Sequence, residues 1–288
     1  MSLIKRIKRY FGRNEGILFI APWVIGFLLF VSFPLAFSFY MSFNNVTVTA
    51  NGIRRTYAGL QYYRSILFED GSALYDQLIP FLQQAALMIP IIVVFSFMIA
   101  ILLNQKFPGR GFFRALFFLP VIFNSGGVIE KFMEQGQGTL GMMERYSITE
   151  TITTYLPEAW ATPITSVMNS FVLILWYSGV QILLFLAGRQ TINPSVYEAA
   201  RIDGATPWEA FWKITLPAMT PFIFLNVIYT IVELFTFPSN PIISSVSTSA
   251  YGHSSALVWI YFTIIMVFLG IIFLLFAKLT KGSATRAH

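Results

Sequence analysis

The chain has no cysteine and only two histidines, His253 and His288. Without cysteine there is no disulfide framework and no thiolate metal site. Two isolated histidines form no ligand cluster, so no metal site is expected. Charge is scarce as well. Charged residues make up 11% of the 288, whereas a soluble domain carries about 25%. No G-x-x-x-x-G-K-[ST] phosphate loop occurs, so the chain is not expected to hydrolyse ATP itself. No convergent catalytic cluster is present either, and no enzyme is expected.

Apolar residues are abundant, at 56% of the sequence. The few charges sit in short clusters between long apolar runs, the pattern of a polytopic membrane protein. Six spans are read, at Ile17–Phe43, Leu78–Leu103, Phe112–Lys131, Ile164–Ala187, Pro217–Phe237 and Ser255–Ala277. Each supplies the roughly 20 residues needed to cross the hydrocarbon core. The third is interrupted by Asn124, Ser125, Gly126 and Gly127. Such a break is tolerable inside a bundle, where neighbours or water satisfy the freed backbone. The expected fold is therefore an all-α integral membrane domain of six transmembrane helices.

The net charge is +6, but the basic residues flank apolar spans, so membrane rather than nucleic acid explains them. With the N-terminus inside, the cytoplasmic set is Lys5, Arg6, Lys8, Arg9, Arg13, Lys106, Arg110, Arg114, Arg189, Arg201, Lys213, Lys278, Lys281 and Arg286. The outer set is only Arg54, Arg55, Arg64, Lys131 and Arg145. The positive-inside bias places both termini in the cytoplasm. The first span is too long for a secretory signal core and is broken by Pro22 and Pro34, so it is read as an uncleaved helix.

Residues 1–16 form a basic amphipathic leader, and 17–288 a single domain without internal duplication. Leu3, Ile4, Ile7, Tyr10 and Phe11 share one helical face, with Lys5, Arg6, Lys8 and Arg9 crowding the other side. Two readings stay open: a short helix on the anionic cytoplasmic leaflet, or a basic tail that only sets topology. In the outer segment 44–77, Asn51-Gly52 and Asp70-Gly71 are turn signals. Thr47, Val48 and Thr49 are placed to form one arm of a small hairpin. The second outer segment, 132–163, is polar and carries Gly136, Gly138 and Gly141.

One cytoplasmic loop, at about 190–217, is polar yet lies between two apolar spans. Asn193-Pro194 marks its start. Ala199, Ala200 and Arg201 favour helix. Gly204 permits a positive φ that ends that helix. Thr206 then suits an N-cap, with Pro207 at the first helical position and Glu209 at the third. Trp208, Phe211 and Trp212 form an aromatic face at i, i+3 and i+4. Glu198 is placed to pair with Arg201. Two short helices joined by a stiff corner are expected, able to transmit a rigid-body push.

The spacing Glu198-Ala199-Ala200, then Gly204, then Ile214, Leu216 and Pro217 resembles the E-A-A loop of permease subunits in binding-protein-dependent ABC importers. Gly59–Tyr63 (G-L-Q-Y-Y) partly resembles the element before the second span in sugar permeases. Gln105–Arg114 followed by Phe117–Pro120 (F-F-L-P) is similar to the family's basic link and F-x-x-L-P element. The outer segment 132–163 departs from the family pattern, with Glu134, Gln135 and Gln137, and Asn193-Pro194 shifts the usual proline by one residue. The resemblance implies a carbohydrate-uptake permease in a bacterial or archaeal inner membrane. Its implied partners are a second related permease, two ATPase subunits that bind ATP and Mg, and an extracytoplasmic solute-binding protein. Glu198, Ala199, Ala200, Arg201, Asp203, Gly204, Ile214, Leu216 and Pro217 would then couple to the ATPase.

An intramembrane acid is expensive and so usually faces a cavity or a partner. Glu233 lies deep in the fifth span, sharing a face with Tyr229, Thr236 and Phe237. Trp176, Tyr177 and Gln181 form a polar-aromatic patch in the fourth span, and Asn124 with Ser125 adds a third. Such groups suit a sugar: aromatic faces cover C–H patches while amides, hydroxyls and carboxylates bond to hydroxyls. The competing readings are interfacial belts for Tyr and Trp, and pairing of Glu233 with a base on another subunit. A different class, an ion-coupled secondary transporter or channel using Glu233, would call for an inverted repeat, and none is evident.

Overall fold

The computed structural model describes residues 19–49, 52–69, 71–122, 148–237, 240–247 and 250–284. The leader 1–16 and the whole of 123–147, with the polar break around Asn124, lie outside these residues. The described chain is helical apart from one hairpin. Four stretches are long and apolar enough to cross a membrane: Phe19–Met41, Leu74–Asn104, Pro207–Ser244 and Tyr251–Lys278. They coincide with the first, second, fifth and sixth expected spans. The third expected span is described as helix only over Arg110–Ile122.

The fourth expected span is not one helix. It divides at Ser170 into Glu158–Asn169 and Phe171–Gln190. Ser170 sits at φ −95° and ψ 15°, and its N–H donates to the Val167 carbonyl, three residues back, at 3.1 Å. Its hydroxyl accepts from Gln84 Nε2 at 3.0 Å. Serine competes with the helical backbone for hydrogen bonds and is a poor helix-interior residue, in keeping with a break at Ser170.

In chain order the helices are α1 (Phe19–Met41), α2 (Gln61–Arg64), α3 (Gly71–Asn104), α4 (Arg110–Ile122), α5 (Ile148–Tyr155), α6 (Glu158–Asn169), α7 (Phe171–Gln190), α8 (Pro194–Ile202), α9 (Pro207–Ala210), α10 (Leu216–Thr236), α11 (Pro241–Ser244) and α12 (Tyr251–Ala284). The chain divides into two compact units. One holds the described residues up to Gly71 with Val246–Thr263; the other holds Ser72–Ser245 with the chain from Ile264 onward.

In the first unit, β1 (Asn44–Thr49) pairs antiparallel with β2 (Gly52–Tyr57), Asn44 facing Tyr57 and Thr49 facing Gly52. This is the expected small hairpin, with Thr47, Val48 and Thr49 in its first arm. The G-L-Q-Y-Y element secures its base. Gly59 turns at φ +58°. Tyr63 Oη lies 2.7 Å from Ser42 Oγ, and its ring packs 5.4 Å from Phe43. Gly252 of α12 lies under the Asn44 carbonyl, where a Cβ would collide.

The second unit carries the loop and the fifth-span acid. Its core is Val93, Phe97, Ala100 and Leu103 of α3, Ile182, Phe185 and Leu186 of α7, and Met219 of α10. In lipid, helices are held by close packing and not by exclusion of water. Gly188 supplies the closest approach: a Cβ there would run into the Phe222 ring of α10. The basic link also has a structural task. Gly109 turns at φ +87°, and Arg114 Nη2 donates to the Leu103 carbonyl at the end of α3, 3.2 Å away, a favoured place for a cation. Phe117 of the F-F-L-P element packs on the core.

Candidate functional site

The polar loop folds by local rules. Asn193 caps α8, its side chain accepting from the Ser195 N–H at 3.1 Å, with Pro194 in the first turn. At the other end the chain turns at Gly204, φ +80°. The Ala205 N–H donates to the Ala200 carbonyl at 2.9 Å, and the Gly204 N–H to the Arg201 carbonyl at 3.1 Å. This pair of hydrogen bonds is a Schellman motif with glycine in the left-handed position. No atom crowds a Cβ at Gly204, so the backbone conformation alone calls for glycine there. Thr206 then closes a capping box. Its hydroxyl accepts from the Glu209 N–H at 3.3 Å, and Glu209 Oε2 accepts from the Thr206 N–H at 2.9 Å. That bond from the Thr206 backbone, first among several contacts, holds the Glu209 carboxyl below the usual range.

The corner is anchored on one side and bare on the other. Phe211 packs 6.0 Å from Phe97 of the core, while Trp208 and Trp212 meet edge-on at 5.5 Å. Ile202 is 86% and Trp208 69% exposed, beside the exposed Glu198, Asp203 and Gly204. Ala199 is exposed and Ala200 half-buried; Ile214 and Leu216 are half-buried at the join to α10, and Pro217 is exposed. The expected pair of Glu198 with Arg201 does not form. Arg201 instead lines a cavity of about 340 Å³ with Arg189, Tyr197 and Thr215. An exposed i,i+3 pair is worth only about 0.2–0.5 kcal/mol, too little to fix either side chain.

Tyr197, Arg189 and Thr215 were not read from the sequence as site residues. The Arg189 guanidinium lies 4.3 Å from the Tyr197 ring centroid, within cation–π range. The Tyr197 hydroxyl is 2.9 Å from Thr215 Oγ1, which is buried and reaches the Ala210 carbonyl at 3.4 Å. The first helix of the corner is thus tied to the segment leading into α10. That segment, Phe211–Thr215, is a π turn closed by the Leu216 N–H on the Phe211 carbonyl. Pro217 follows directly. A proline ring clashes with the carbonyl four residues back and offers no N–H, so the ladder widens ahead of it. The same arrangement recurs in α1, where Phe33 N–H meets the Leu28 carbonyl just before Pro34.

Within the span region, Gln181 and Glu233 are brought together. Gln181 is fully buried on α7. Its Nε2 donates to Glu233 Oε2 at 2.8 Å and to Thr230 Oγ1 at 3.2 Å, both on α10. Its Oε1 is buried without a partner among the described residues, as is Oδ1 of Asn226, one turn below Thr230. Tyr177 is buried and meets Phe237 edge-on at 5.2 Å. Tyr229 is 37% exposed and Trp176 half-buried; neither shows a polar contact to Glu233. Thr236 is exposed, with its hydroxyl on the Val232 carbonyl at 2.6 Å. Asn124 lies outside the described residues. Thr230, not Thr236, shares the acid's polar contact. No group of three or more His, Cys, Asp or Glu able to hold a metal occurs among the described residues.

A membrane-embedded helical unit with a capped polar corner is the build of a transporter permease. The chain belongs to the family described as binding-protein-dependent transport system inner membrane component, which it matches over residues 70–282. It is 31% identical to the probable ABC transporter permease protein YesP of Bacillus subtilis (strain 168), over 80% of this chain and 73% of that protein. It is 29% identical to the multiple sugar-binding transport system permease protein MsmF of Streptococcus mutans serotype c, over 98% and 99% of the two chains. Its fold matches a chain of a bacterial ABC transporter involved in import of the acidic polysaccharide alginate. The TM-score is 0.63 at 17% identity, over 96% of this chain and 99% of that one. The protein is a permease subunit of a binding-protein-dependent ABC importer and, as such, not an enzyme. These relationships do not favour an ion-coupled carrier or channel built on Glu233.

Proposed function

We propose that this subunit forms the translocation pathway for a sugar or oligosaccharide and couples it to ATPase subunits through the E-A-A loop. The observation that carries the coupling is the corner at Gly204: two capped helices, anchored by Phe211, presenting Ile202 and Trp208 bare to solvent. Exposed apolar side chains set among Glu198, Asp203 and Gly204 suit insertion into a cleft of another subunit. The ATPases hold ATP and Mg, a second related permease completes the channel, and a solute-binding protein delivers the solute from outside. Sugar-system relatives such as MsmF support the carbohydrate class. Glu233, half-buried and held by Gln181, faces the passage and bonds to a solute hydroxyl.

Six spans and cytoplasmic termini complete this reading. A reporter fused after His288 is expected to signal cytoplasm, and one between Asn51 and Gly52 the exterior; an external C-terminus would overturn it. The coupling test uses the assembled importer in proteoliposomes. Gly204→Pro removes the N–H bonded to Arg201 and cannot adopt φ +80°. Glu198→Lys reverses a charge beside the contact face. Both are expected to insert normally, to bind the ATPase weakly and to abolish uptake. Solute-stimulated ATP hydrolysis at full rate in both variants would remove the loop from coupling.

A further inference from the structure

A polar stripe on α3 has no part in either region above. Asp76, Gln77, Gln83 and Gln84 fall at i, i+1, i+7 and i+8, which places them on one side of the helix over two turns. The core-facing side of the same stretch is Leu78, Phe81, Ala85 and Met88, all buried. Gln84 donates to Ser170 at the helix break. Asp76, Gln77 and Gln83 hydrogen-bond to nothing among the described residues. Gln83 and Gln84 fall inside the expected second span, where amides are unfavourable against lipid unless they face water, solute or a partner, and Asp76 with Gln77 lies at its outer end.

The stripe borders a half-open cavity of about 300 Å³, lined also by Thr162 of α6 and by Pro80 and Pro241. That volume is at the lower end for ligand pockets. Among the described residues no lysine or arginine lines it, so an anion would meet the Asp76 carboxylate without a counter-charge from them. A neutral polyhydroxylated solute fits better: its hydroxyls donate to Asp76, exchange bonds with the glutamine amides, and its C–H faces rest on the prolines. Phe81 in its wall meets Phe235 edge-on at 4.9 Å, two residues beyond Glu233.

We propose that this cavity is a second saccharide subsite, separate from the Gln181–Thr230–Glu233 group. It rests on the carbohydrate reading above. The absence of cysteine makes a direct test simple, because Gln83→Cys gives this subunit a single thiol. In the assembled importer, uptake of radiolabelled neutral mono- to tetrasaccharides first identifies the sugar carried by the unaltered protein. Maleimide labelling of the Gln83→Cys subunit is then followed with and without that sugar, supplied on the loaded binding protein. Labelling is expected to proceed, and to slow about tenfold when the subsite is nine-tenths occupied. Asp76→Asn should weaken that protection while leaving assembly with the second permease intact. A thiol that never labels, or assembly lost in Asp76→Asn, would make the stripe a subunit contact and overturn the proposal. So would labelling that the carried sugar leaves unchanged. If no sugar is carried at all, the carbohydrate reading fails and the subsite with it.

Discussion

The corner at Gly204 and the Gln181–Glu233 group are built by opposite means. The corner is assembled from neighbours: each of its caps joins residues two to five positions apart, from Asn193 to Glu209. The intramembrane group joins residues 52 positions apart and exists only because α7 and α10 pack closely at Gly188 and Phe222. The corner is therefore stiff on its own, whereas the Gln181–Glu233 group depends on two helices keeping their places; on the proposed function these are the element that pushes and the element that holds the solute. Changes in the corner should therefore alter coupling while leaving the fold alone, and changes in the group should disturb both.

The largest effect is expected at Gln181. Gln181→Leu leaves Glu233 without its donor in a buried setting, a loss of about 1–3 kcal/mol for a buried polar group left unpaired. Thermal unfolding in detergent should show the drop, and uptake should be lost. Glu233→Gln, which keeps an acceptor, should retain part of the uptake of a neutral sugar and assemble normally. Equal stability of Gln181→Leu and the unaltered chain would show that the group is not structurally coupled. A smaller effect is expected at Tyr197. Tyr197→Phe keeps the ring beneath Arg189 but removes the bond to Thr215, worth about 0.5–1.5 kcal/mol. Solute-stimulated ATPase activity should fall severalfold with unfolding temperature nearly unchanged; a parallel fall in both would blur the contrast between the two regions.

The smallest concerns the capping box. Thr206→Ala should cost about 1 kcal/mol of local helix stability, read as faster amide exchange at Glu209. Because Glu209 is held below its ordinary pKa, its contribution is complete above the unfolded value of about 4.3. It is lost as pH falls through the lowered folded value. Exchange at Thr206 should therefore be flat from neutral pH down to that range, after correction for intrinsic rates, and rise below it.

This contrast also explains what was legible beforehand. Gly204, Thr206, Pro207 and Glu209 were readable because their chemistry is completed within a few residues. Glu233 and Gln181 stood out singly, as polar groups inside apolar runs, but no local pattern joins α7 to α10. Thr230 was missed because a threonine in a spanning helix usually bonds its own backbone, as Thr220 and Thr236 do. Tyr197 and Thr215 were missed because their link crosses the corner. The break at Ser170 had a signal in Asn169-Ser170, and the stripe on α3 one in its seven-residue spacing; both were masked by the hydropathy of the surrounding runs.

The π turn before Pro217 has a consequence for inheritance as well as for shape. It holds one residue more than an α-helix would need, and each residue turns a helix by about 100°. The position at which α10 begins its count is therefore set within Phe211–Thr215. Deleting one residue there would restore an ordinary ladder and swing Thr230 and Glu233 about a quarter-turn away from Gln181. Surface loops accept such length changes freely. This five-residue segment, although it lies outside the pathway, should not.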